Sequence, residues 1–118
     1  MFKRKKMPEV RNAHYEQMWR DMLDAQITLD DRTDKTIARI GVIDLYPEGP
    51  DKEAAKRDAE KAKQLLLCAV GHYDSCRAEL IRYNEQNPEK VPTGWNPNRF
   101  KNSHEEIEIR YEKFFKRG

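Results

Sequence analysis

Cys68, His72 and Cys76 stand four residues apart in LLLCAVGHYDSC, residues 65–76, a stretch that holds both cysteines and one of the three histidines of the chain. Soft ligands at this spacing are the first place to look for metal or redox chemistry. Residues four apart share a helix face, so Cys68 with His72, or His72 with Cys76, can clasp one ion. All three cannot converge, because about 12 Å of helical rise separates Cys68 from Cys76. The same separation excludes an intrachain disulfide, which needs Cα atoms within about 7 Å. A closed zinc site needs two further ligands, and His14 and His104 are the only other soft candidates. The stretch therefore reads as one face of a helix, with Cys76 packing as a small hydrophobe. No metal and no cofactor is expected.

Catalytic patterns are also missing. The chain has no glycine-rich phosphate loop, no G-x-S-x-G, no H-E-x-x-H and no CxxC. Its carboxylates interleave with Lys and Arg, as in DKEAAKRDAEKAK, a pattern of solvated helix faces laced by four-residue ion pairs. A non-enzymatic protein is expected.

Two binding chemistries remain. Lys3, Arg4, Lys5 and Lys6 form a cationic cluster in residues 1–8, read as a flexible arm able to contact phosphates. Trp95, Arg99 and Phe100 combine aromatic surface with positive charge, which suits stacking on unpaired bases. Against a dedicated nucleic-acid binder stand 21 acidic residues beside 23 basic ones, for a net charge of only +2. Protein association accounts for more of the sequence. Trp95, Asn96, Arg99 and Phe100 in GWNPNRF form one candidate partner-binding patch, and Met18, Trp19 and Met22 form a second.

The elements that must position these residues are helices. Tyr15, Trp19, Met22, Leu29, Ile37 and Ile40 recur at helical steps within a helix of about residues 9–45, interrupted by Gln26, Thr33 and Thr36. Residues 29–46 leave alternatives: LDDRTD can mark a break, and IGVIDLY is dense enough in β-branched residues to form a short strand. YPEGPD at 46–51 stops that helix and starts a second one of about 51–87. In the second, Ala55, Ala59, Ala62, Leu66, Ala69, Tyr73, Cys76, Leu80 and Tyr83 keep alternating steps of four and three. Leu65, Val70 and Ile81 widen this stripe, so the helix has more than one neighbour. Two helices of similar length on a tight turn pack antiparallel.

Residues 88–102 carry three prolines and a glycine and form an extended loop. Ser103 and Glu106 read as a capping box opening a helix of about 104–116, with Ile107, Tyr111, Phe114 and Phe115 folding back on the hairpin. The expected fold is all-α: a long antiparallel hairpin, an extended loop and a short C-terminal helix in a single domain, residues 9–118. With 37% charged residues this domain is rich in solvated surface, so an elongated shape or a core shared with a partner is expected. No apolar run spans a bilayer and no leader is readable, so a cytoplasmic location without membrane contact is expected. The preferred reading is a small adaptor or inhibitor that docks on a larger protein machine and forms homo-oligomers. Accessory proteins of phages and mobile elements are of this kind. The second reading is an accessory nucleic-acid binder gripping phosphate with its basic arm.

Overall fold

Asn12 opens the first helix: its Oδ1 accepts the Tyr15 backbone N–H at 3.0 Å, satisfying one of the donors that a helix start leaves free. The structure is a computed structural model and describes residues 12–116, the side chains of Phe115 and Lys116 excepted. Three helices follow in order: α1 (Ala13–Ile43), α2 (Pro50–Gln86) and α3 (Ser103–Lys116), with single 3-10 turns at Pro88–Lys90 and Pro97–Arg99. No strand occurs among the described residues. The expected start of α1 near residue 9 falls on residues outside the description, and the cap places the described helix start at Ala13. Residues 29–43 form unbroken helix, so neither a break at LDDRTD nor a strand at IGVIDLY exists.

α1 and α2 form the antiparallel hairpin. Between them Gly49 adopts φ 148°, a conformation that side chains resist, and Pro50 supplies a preset φ at the first position of α2. The seam is uneven. Near the chain ends of the hairpin it holds Tyr15, Trp19, Met22, Leu29, Tyr73 and Leu80, all buried. Towards the turn it holds Thr33, Thr36, Ala55 and Ala59. The threonine hydroxyls remain buried without penalty because Thr33 bonds the Leu29 carbonyl at 2.7 Å and Thr36 that of Arg32 at 2.7 Å. The Ala62 carbonyl across the hairpin lies 3.2 Å from the same Thr36 hydroxyl and shares its one proton, which ties the two helices where apolar packing is thin. Ile40, expected on the seam, is 45% exposed because only alanine-sized residues face it.

Residues 87–102 form a strap over the wide end of the hairpin. Its prolines and lack of regular structure leave carbonyls in need of donors, and the hairpin supplies them. Asn12 donates to Lys90 O at 3.0 Å, Tyr15 to Trp95 O at 3.2 Å and Arg77 to Phe100 O at 2.8 Å, while the Tyr73 hydroxyl donates to Lys101 O.

α3 then runs along α1. Its capping box is displaced by one residue from the expected Ser103–Glu106 pair. Asn102 accepts the Glu105 N–H at 2.9 Å, and its amide donates back to the Glu105 carboxylate at 3.0 Å. Ser103 instead donates to Asp74 at 3.0 Å, and buried Glu106 accepts from Gln26 at 3.4 Å. Ile107 packs on the core; further along, Arg110, Lys113 and Phe114 line a depression with Asp34, Lys35 and Ala38 of α1, while Tyr111 and Phe114 stay partly exposed.

The molecule measures 71 × 28 × 19 Å with a radius of gyration of 19.9 Å. A compact domain of this length would have a radius of about 13 Å. The hairpin is therefore a slender rod, covered on one face by strap and α3.

Candidate functional site

The first candidate patch does not stand free. Phe100 and Met22 are fully buried and Trp19 nearly so. Trp19 lies 5.2 Å from the Trp95 ring and 5.1 Å from that of Phe100, and the Arg99 guanidinium sits over both Trp19 and Phe100. These three residues are the hairpin's own core, which corrects the expectation that they meet a partner: a rod with so little core consumes its aromatics internally. Asn96 and Arg99 are exposed, and Trp95 and Met18 are half-buried. Lys3, Arg4, Lys5 and Lys6 lie outside the described residues.

Helix geometry divides the hairpin into two faces. The contacts to strap and α3 leave α1 at Gln26, Asp30 and Asp34 and leave α2 at Tyr73, Asp74 and Arg77. At 3.6 residues per turn, Arg32 lies roughly 160° around α1 from Asp34. Arg32 and Arg39 therefore border the opposite groove, where they meet Asp58, Lys61 and Leu65 of α2 in a depression of about 310 Å³. Towards the turn the same groove continues between Val42, Tyr46 and Ala54. At its other end Met18, Glu79 and Tyr83 line a further depression. No residue of the strap or of α3 lines these depressions.

The charges on this open face are uneven: the half near the turn has an excess of cations with Asp58 among them, and the other half holds Asp21 and Glu79 with Arg82 beside them. Arg32, Arg39 and Lys61 occupy its turn-proximal half and make no ion pair among the described residues. Asp21 and Glu79 occupy the other half around Cys76, also without an ion pair, although Asp21 accepts a hydrogen bond from Gln17 at 2.9 Å. Between the two halves lie the smaller exposed side chains of Thr28 and Cys68.

The cysteine stripe falls on this same open face. Cys68 is exposed and Cys76 half-buried, with its sulfur 3.7 Å from His72 Nε2. Burial, followed by the charges of Asp21 and Glu79, pushes the Cys76 thiol up, which opposes thiolate formation. The other two histidines are engaged elsewhere: His14 lies against the Tyr83 ring, and His104 is 3.4 Å from Glu108. Among the described residues no group of three or more His, Cys, Asp and Glu is placed to hold a metal.

A second exposed feature is the tip of the rod. Leu45 is 77% exposed, Val42 and Tyr46 are exposed beside it, and Ile40 is exposed on the opposite side of α1. Leu45 and Tyr46 sit in the connection itself, following a helix whose last turn already lacks opposing bulk. In the sequence Ile40 reads as seam, and Val42, Leu45 and Tyr46 read as a helix end or a short strand, so none of the four reads as exposed surface. The open face had one sequence signal: Leu65, off the main stripe, is 48% exposed on it.

Among the described residues, no helix is long and apolar enough to cross a membrane. Comparison with protein-family models, with curated proteins and with solved structures found no match to this chain.

Proposed function

We propose that the chain is a non-enzymatic protein-binding module: the apolar tip docks on another protein, and the open face of the hairpin mediates self-association. The tip carries this reading. Val42, Leu45 and Tyr46 are exposed at the end of a rod whose apolar core lies at its other end, and Ile40 is exposed on the opposite side of α1. Clustered apolar exposure of this kind is a feature of interaction sites, whereas scattered exposed apolar residues need no explanation.

The test is photo-crosslinking in cells that naturally express the chain, with a benzophenone side chain placed at Leu45 and, as a control, at the exposed residue Glu60. A discrete adduct with a different protein from position 45, absent from position 60 and lost on Tyr46→Ser, supports the docking site. No adduct from position 45, or equal adducts from both positions, contradicts it.

A second reading, nucleic-acid binding, is favoured by Arg32, Arg39 and Lys61 along one groove, cations without an ion pair among the described residues. Under that reading a labelled oligonucleotide binds with an affinity that falls steeply with salt, and Arg39→Glu weakens it.

A further inference from the structure

We propose that the open face is occupied by a second copy of this chain, antiparallel to the first, and that its charges set the register. The surface rests on the self-association proposed above and is independent of what the tip binds.

The two halves of the face are placed to match each other in a two-fold pair. With an in-plane two-fold axis across the rod near residue 70 of α2, each α2 runs antiparallel over its twin. Lys61 of one copy then faces Glu79 of the other, Asp58 faces Arg82, and Cys68 faces His72. On α1 the same axis falls between Ala25 and Thr28 and sets Arg32 against Asp21. The two positions agree, because Thr36 bonds Ala62 across the hairpin and so fixes which levels of α1 and α2 lie side by side. The exposed side chains at the centre, Thr28 and Cys68, are small and permit close approach of the second rod.

Three arguments select a second copy over an unrelated partner. First, Lys61, Glu79, Arg32 and Asp21 make no ion pair among the described residues, and each finds its opposite under one symmetry operation. Second, a two-fold interface must be self-complementary, and a face with Arg32, Lys61 and Asp58 at one end and Asp21, Glu79 and Arg82 at the other meets that requirement only antiparallel. Third, the size suffices. The overlap from residue 57 to 83 of α2 is about 39 Å long, and two helices side by side are about 20 Å wide. That buries about 800 Å² per copy, the standard size of a stable interface.

Charge exchange tests the register. In one chain Lys61 and Glu79 are about 27 Å apart along α2, so they cannot rescue each other internally. Sedimentation velocity on the whole chain is expected to show a dimer. Lys61→Glu and Glu79→Lys should each weaken it at least about tenfold, since symmetry places two like-charge contacts in every dimer. The double variant K61E/E79K should return to within about threefold of wild type. Arg32→Asp, Asp21→Arg and their combination repeat the test on α1, and circular dichroism reports whether each variant keeps its helices. A dimer unmoved by the single reversals, or not restored by the double exchange, overturns the surface while leaving self-association in place. A monomer up to about 0.5 mM overturns both.

Discussion

Arg110 on α3 grips the Asp34 carboxylate on α1 through Nε and Nη2, and one turn away Asp30 holds a buried Oδ1 that has no hydrogen-bond partner. The contact is the only ion pair joining α3 to α1 among the described residues. Removing its cation with Arg110→Gln leaves Asp30, Asp34 and Glu106 facing one another. The expected cost is about 1–2 kcal/mol, below the range for buried pairs because both partners remain partly exposed. Urea unfolding measures it, and an unchanged midpoint would contradict this account of how α3 is held.

Asp30 itself gives a pH prediction. Burial pushes its carboxyl up; Arg110 pulls it down, Glu106 and Asp34 push it up again, and Lys113 pulls it down, for a net rise. A carboxyl raised on folding is held protonated more tightly by the native state than by the unfolded chain. Its contribution to stability therefore falls as pH rises from the ordinary carboxylate value through the raised one. Asp30→Asn should raise the melting temperature near pH 7 and lose that advantage in acid, where wild-type Asp30 is protonated. Melting curves at the two pH values decide. A lower melting temperature for the variant at neutral pH would show that Asp30 is satisfied in solution.

Phe100 separates core from contact surface. It is fully buried between Trp19 and Arg99, so Phe100→Ala should cost about 3–5 kcal/mol and release the strap. Leu45→Ser and Tyr46→Ser, at the exposed tip, should each change stability by less than about 0.5 kcal/mol. Denaturation of the three variants side by side checks both statements.

The two thiols should react at different rates. Cys68 is exposed, whereas Cys76 is half-buried and its thiol is pushed up by burial and by Asp21 and Glu79. In a chain diluted to monomer, a maleimide should therefore label in a fast and a slow phase, and Cys68→Ser should abolish the fast one. Loss of the slow phase instead would contradict the placement of Cys76.

Much of this was legible in the residues themselves, because helical period is a local property. The steps from Tyr15 to Leu29 and from Ala55 to Tyr83 name the seam, and YPEGPD marks the turn. What stayed hidden depends on contacts between distant residues. Asn102 and Ser103 are equally good caps, each with a glutamate three residues on; the choice is made by Ser103 bonding Asp74 and Glu106 meeting Gln26. Trp19, Met22 and Phe100 have the composition of an interface, but composition does not say whether an aromatic anchors a partner or the chain's own strap. The open face was hidden for a related reason. Arg32, Lys61, Asp21 and Glu79 look like ordinary solvated charge until strap and α3 are seen to cover only the other side.

The most direct test of an open face closed by a second copy is small-angle X-ray scattering combined with light scattering on the wild-type chain. The account predicts twice the chain mass in a particle thicker than one rod but close to its 71 Å length, since the two-fold axis lies near the middle of α2. A single chain mass, or a doubled mass in a particle nearly twice as long, would contradict it; the long particle would place the contact at the ends of the rod.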